Sequence, residues 1–224
     1  MRTALYFTPP DDDPLTRAAV AWLGRDAWRP AAPSGEAGPD SIVREPRRYG
    51  FHATLKPPFR LAEGKSIEAL RGALAAFAAV RPPVTIASLE LARIGAFFAL
   101  VPGGDAAGLD ALAGGVVTEF EAFRAPPSAS EIARRDPERL TPRQRAHLEA
   151  WGYPYVFDEF RFHMTLTGRV PAEQQNAVEA VLRARFAPFI GRPLVVDTLC
   201  LFVERDPPGD FVVDTAVRLA GAAA

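Results

Sequence analysis

Apolar positions along this chain follow two rhythms, one of period two and one near 3.6, and their alternation divides the chain into two similar halves. Strand-like runs are predicted at 4–8, 49–56, 84–91 and 96–101, and again at 161–167, 194–203 and 211–217, with turns at 93–95 and 206–209. Helical spacing of Ile67, Leu70, Leu74, Phe77 and Val80 predicts an amphipathic helix with Ser66 as its N-cap and Arg81-Pro82-Pro83 as its stop. Its counterpart has Pro171 in the first turn and a stripe of Val178, Val181, Leu182 and Phe186, ending before Pro188 and Gly191. Further helices are predicted near 15–23 and over 109–123, and Thr141-Pro142 to Gly152 bounds a short helix that carries His147 as a structural residue.

Each half therefore reads as a strand, a helix and an antiparallel strand pair. The expected fold is α+β: a bilobal pseudo-two-fold duplication with two antiparallel sheets facing a central cleft and helices on the outer faces. We expect one bilobal domain over 1–224, with lobes of about 1–105 and 106–224 and a helical insertion at about 126–160. Within the insertion, Arg134-Arg135 could reach over the cleft toward a phosphate. The Ala-, Pro- and Gly-rich stretch 30–40 reads as a mobile loop near the cleft, placed to act as a lid.

The chemistry-bearing signal lies in one strand of each half, 49–56 and 161–167. His52-Ala53-Thr54-Leu55 and His163-Met164-Thr165-Leu166 repeat one pattern 111 positions apart and use two of the three histidines. Residues i and i+2 of a strand share a face, so each His points the same way as its Thr, while Phe51, Ala53 and Leu55, or Phe162, Met164 and Leu166, pack on the other side. A single His-x-Thr reads as a solvated strand face. Two copies in matching contexts read as one site, with His52, Thr54, His163 and Thr165 as its catalytic groups.

Composition narrows the choice. A net charge of −1 and a pI near 6.3 offer long nucleic acid no general attraction. With no long apolar span and no signal-like start, a cytoplasmic protein without membrane contact is expected. The single Cys200 sits in an apolar run as a small hydrophobe. Neither motif has the neighbouring His, Cys or carboxylate that zinc needs, and no Gly-x-Ser-x-Gly elbow supplies a nucleophile, so the expectation is no metal and no cofactor. Two imidazoles titrating near neutrality can instead act as base and acid on either side of a phosphoryl group, with the threonine hydroxyls on its oxygens.

These residues resemble the two-histidine (2H) phosphoesterase superfamily, marked by paired His-x-Thr/Ser motifs on pseudo-symmetric lobes. More narrowly, 48–59, 151–156 and 160–168 are similar to a branch associated with phosphonate metabolism and carbon–phosphorus lyase operons. The resemblance implies a metal-independent phosphodiesterase opening a cyclic phosphodiester of a small sugar phosphate or nucleotide, such as 5-phosphoribosyl 1,2-cyclic phosphate. It also carries the superfamily's catalytic pair onto His52 and His163 and its phosphate-holding hydroxyls onto Thr54 and Thr165. Strand parity adds Arg48, Tyr49, Lys56, Arg161 and Thr167 as substrate contacts, and the leading strand adds Tyr6. A monomer acting on a small phosphorylated substrate is expected. An RNA-end 2′,3′-cyclic phosphodiesterase or 2′,5′ ligase-like enzyme, and a non-catalytic module binding a phosphorylated ligand, stay open as alternatives.

Overall fold

The structure is a computed structural model that describes residues 1–30 and 37–221. Its elements in chain order are β1 (Arg2–Phe7), α1 (Pro14–Leu23), α2 (Asp40–Arg47), β2 (Ala53–Phe59), α3 (Ile67–Ala79), β3 (Val84–Ile86), β4 (Ser88–Ile94) and β5 (Phe97–Gly103). They continue with α4 (Ala107–Glu119), α5 (Ala129–Ala133), α6 (Pro142–Trp151), β6 (Met164–Thr165), α7 (Gln175–Phe186), β7 (Leu194–Val196), β8 (Thr198–Glu204) and β9 (Val212–Arg218). Residues 31–36, most of the expected lid, lie outside the described residues.

Caps fix the helix ends, two of them at the Ser66 and Thr141 positions that the sequence suggests. Asp13 accepts from the Leu15 N–H and Gly24 closes α1 at φ 75°, a left-handed turn that glycine enters without a Cβ penalty. Ser66 caps α3 through the Ala69 N–H, and Thr141 with Gln144 forms a capping box on α6. In that helix His147 bonds Asp158 at 3.1 Å and serves the packing of the insertion.

The strands form an antiparallel seven-stranded sheet in the order β4-β5-β6-β2-β1-β8-β9, plus a two-stranded sheet of β3 and β7. The two halves of the large sheet are continuous, joined where Ala53 of β2 pairs with Met164 of β6. These are the middle residues of the two motifs. The small sheet repeats this relation, since Thr85 pairs with Val195. One pseudo-two-fold axis thus runs between equivalent residues at both places.

The expected lobe boundary near 105 does not survive this topology. Hairpin β4–β5, from the first half of the sequence, flanks β6 of the second, while β8–β9 flanks β1 of the first. The connections cross over, so each motif sits in a sheet completed by the other half.

Strand alternation sorts the core into two faces. Leu5, Phe7, Ala53, Leu55, Leu100, Met164, Leu199 and Leu201 pack beneath α1, α3, α4 and α7, which add Trp22, Leu74, Val116 and Phe186. Ala4, Tyr6, Cys200 and Phe202 form a smaller cluster with Phe211 on the opposite face. Fully burying side chains of this size stabilises by about 1.5–3 kcal/mol each, so most of the folding energy lies under the helices. Two expected core positions are solvent-facing instead. Val80 lies past the last turn of α3, and Val181 is rotated one residue, about 100°, off the Leu182–Phe186 stripe.

Candidate active site

Both histidines are fixed by the same local device. His52 Nδ1 lies 2.9 Å from the Gly50 carbonyl and His163 Nδ1 lies 2.8 Å from the Arg161 carbonyl, in each case two residues back. A carbonyl only accepts, so Nδ1 carries the proton and Nε2 is left as the working nitrogen of each ring. Gly50 adopts φ 74°, and a Cβ there would come 2.5 Å from that of Ala27, so the turn aiming the carbonyl at His52 requires glycine.

The pairing of Ala53 with Met164 turns both of these side chains toward the helices and His52, Thr54, His163 and Thr165 toward the opposite face. Antiparallel register then sets His52 across from Thr165 and Thr54 across from His163, so that each imidazole neighbours the other motif's hydroxyl. Thr54 Oγ1 is also 3.2 Å from Nε2 of its own His52. The short β6 is secured from outside the sheet: Trp22 Nε1 donates to the Leu166 carbonyl at 2.8 Å and the Gly168 N–H donates to the Ile42 carbonyl at 2.6 Å.

The surroundings of the two rings differ. Tyr6 stacks on His52 with centroids 3.9 Å apart and planes 22° apart, and Phe202 and Tyr49 approach at about 6 Å. Burial pushes His52 down to about 4; its bond to Gly50 opposes this and the charge of His163 adds to it. His52 is thus neutral at physiological pH. His163, also half-buried, has Phe97 tilted against it at 5.8 Å.

A cavity of about 610 Å³ bordered by Tyr6, Tyr49, His52, Thr54 and Thr165 opens over this face. It runs into a second of about 470 Å³ beside His163 and Arg161, sharing Thr54, Phe97 and Tyr153. Tyr6, Tyr49, Arg161 and the four motif residues therefore converge on one cleft. Thr167 reaches its wall, but its Oγ1 accepts from the Phe98 N–H at 2.9 Å and serves to hold β5. Arg48 lies beside the cleft, bound to buried Glu204 and to the Gly209 carbonyl at 2.7 Å.

Lys56 requires a correction. It is fully buried, donating to the Val117 carbonyl at 3.0 Å and to Glu121 at 2.8 Å at the end of α4. The reason is a β-bulge: Tyr6 pairs with Thr54 but the adjacent Leu5 pairs with Lys56, so one extra residue of β2 reverses the parity and sends Lys56 to the helix side. A strict alternation rule fails at that point. Sequence reasoning also left out Phe97 and Tyr153 as cleft residues; Tyr153 belongs to the 126–160 insertion, which brings Arg135 to the same wall. The Arg134-Arg135 pair was the available signal for that contribution.

Among the described residues no three His, Cys, Asp or Glu side chains gather, and no helix is long and apolar enough to cross a membrane. Cys200 is buried, its thiol pushed up to about 12 by burial, as befits a packing residue.

A family model described as "Protein of unknown function (DUF1045)" matches residues 54–212, from the first motif's threonine into β9. The chain belongs to that family. This DUF1045 chain carries its paired His-x-Thr motifs across a pseudo-dyad. It is similar to ribose 1,5-bisphosphate phosphokinase PhnN of Janthinobacterium sp. (strain Marseille), 37% identical over 98% of this chain and 51% of that protein. It is also similar to the protein of that name from Laribacter hongkongensis (strain HLHK9), 36% identical over 94% of this chain and 50% of that protein. The chain thus spans about half the length of the curated relatives it matches. Its fold is shared by TT0787 of Thermus thermophilus, at 17% identity and a TM-score of 0.50 over 100% of both chains.

Proposed function

We propose that this protein is a phosphodiesterase that opens a cyclic phosphodiester of a small sugar phosphate or nucleotide, using His52 and His163 as base and acid and requiring no metal. The observation that carries the reading is the matched anchoring of two imidazoles by Nδ1, on one face of the sheet and diagonal across the Ala53–Met164 pair, each opposite the other motif's threonine. Such a pair can serve both ends of an in-line displacement at phosphorus. His52, neutral in its half-buried setting against Tyr6, takes the proton from attacking water at Nε2 as the new P–O bond forms. The bond to the ring alkoxide breaks, and His163, entering the step as the imidazolium with a proton on each ring nitrogen, delivers the Nε2 proton to that oxygen and keeps the one on Nδ1. Thr54 and Thr165 donate to the non-bridging oxygens, where negative charge accumulates. The product is a phosphate monoester with a free hydroxyl.

The name of the relatives, a kinase of ribose 1,5-bisphosphate, favours a sugar phosphate over a long nucleic acid, and with the resemblance of 48–59, 151–156 and 160–168 it supports a proposed role in phosphonate metabolism. The test is turnover in EDTA of ribose 1,2-cyclic phosphate 5-phosphate and the 2′,3′-cyclic nucleotides, followed by phosphorus NMR. Wild type is expected to open a member of the panel, and His52→Ala and His163→Ala each to slow it by about 10²-fold or more. Turnover that survives both substitutions would reject the site, and turnover that vanishes in EDTA would reject metal independence.

A further inference from the structure

Beyond Tyr49 the cleft continues into a cavity of about 760 Å³ on the side away from His163, sharing Arg2, Glu45, Tyr49, Pro58 and Arg135 with the main one. Six arginines and two glutamates border it, in a chain whose net charge is −1. Four of the arginines are held by carboxylates: Arg2 and Arg48 by Glu204, Arg60 by Glu131 and Arg124 by Glu121. Arg134 and Arg135 have no carboxylate partner among the described residues. Arg135 instead lies with its guanidinium 4.8 Å over the Tyr153 ring, at the boundary of both cavities.

The segment that carries these two arginines is fastened down. The Ser128–Glu131 capping box fixes α5, whose last residue precedes Arg134. Arg60, just after β2, bonds both Glu131 at 3.1 Å and the Pro126 carbonyl at 2.8 Å. Buried Glu204 orders the opposite wall, accepting from Arg2, from Arg48 and from the Gly209 N–H. Burial alone would raise Glu204, but these donors hold it at about 2, so it stays an anion and keeps both guanidiniums in place. Unneutralised guanidiniums on an ordered wall beside a reaction site are suited to a phosphate dianion, which accepts their N–H groups in pairs.

We propose that Arg134 and Arg135 form a second anion site that holds a non-reacting phosphate monoester of the substrate while another phosphoryl group lies between the histidines. This deepens the phosphodiesterase reading and rests on it for the identity of the first phosphoryl site. It narrows the substrate class to small molecules with two phosphoryl groups, and it gives the 126–160 insertion the task of selecting them.

Binding rather than turnover tests it. Calorimetric titration would compare ribose 1,5-bisphosphate with ribose 1-phosphate, with and without added inorganic phosphate, on the wild type and on Arg134→Ala/Arg135→Ala. The bisphosphate is expected to bind the wild type about tenfold or more tighter, and the double variant is expected to lose that advantage while keeping its affinity for the monophosphate. Arg135→Lys, which keeps the charge but not the planar fork, should recover part of it. Equal affinities in the wild type, or an advantage that survives the double substitution, would overturn the proposal, as would inorganic phosphate lending ribose 1-phosphate the full advantage, since the site would then serve a separate anion. An intact advantage with no turnover of any cyclic phosphate would end the phosphodiesterase reading and leave this site standing; turnover with no advantage would do the reverse.

Discussion

The strands that carry His52 and His163 share a tetrapeptide, an anchoring carbonyl and a pairing axis, yet they give their histidines different lives. His52 stands at the head of a seven-residue strand and lies flat against Tyr6 of β1. His163 precedes a two-residue strand whose neighbour is β5, which offers it only the tilted ring of Phe97. Among the described residues no strand equivalent to β1 stands beside β6. The added strand lays Tyr6 flat against one imidazole and leaves the other with a single tilted ring, so a repeated motif supplies two proton carriers in unlike packing.

The sharpest way to break this comparison is to vary the leaving group. With a nitrophenyl phosphodiester, whose leaving phenolate needs no proton, His52→Ala is expected to lose about 10²-fold or more in kcat and His163→Ala no more than about tenfold. Equal losses would mean that the two rings are interchangeable and that the stacking on Tyr6 does not divide their roles.

A smaller effect should follow from Tyr6→Leu, which removes the stacked ring and readmits water to His52. The burial that holds His52 at about 4 weakens, so the acid limb of the kcat/KM profile should move up from about pH 4 toward the ordinary imidazole range near 6.5. The sign is fixed by the cause: with its folded-state value depressed, His52 resists protonation until the pH falls well below 6.5. An unmoved limb would exclude desolvation by Tyr6 as the source of the difference.

The smallest functional effect is expected from Lys56→Met. Because its ammonium is spent on Val117 and Glu121 rather than on the cleft, KM should stay within about twofold while stability falls by about 1–3 kcal/mol, measured by denaturant unfolding. A large rise in KM at unchanged stability would return Lys56 to the substrate.

The contrast between Thr54 and Lys56 also marks how far the sequence could be read. Alternation placed Thr54 and Thr165 with their histidines, and the caps at Ser66 and Thr141 marked helix starts, because these features depend on neighbours within four residues. The bulge that reverses Lys56 is created by the partner strand, and a period of two contains no sign of it. The crossover of the two hairpins is likewise invisible locally: 88–103 reads as an antiparallel pair whichever motif it flanks. Arg135 and Tyr153 reach the wall of the cleft from a segment with no counterpart in the other half, so self-comparison of the sequence could not align them with anything.

The crossed hairpins also bear on how such a molecule could have arisen. A protein made from one half alone would have a single His-x-Thr motif and a sheet without its flank, and the simplest completion of both is a second copy of itself about the same axis. Two such copies would hold their imidazoles in identical surroundings, and neither could specialise. Fusion into one chain removes that constraint: a strand can be added beside one histidine and not the other, and an ancestral symmetric pair becomes a divided site.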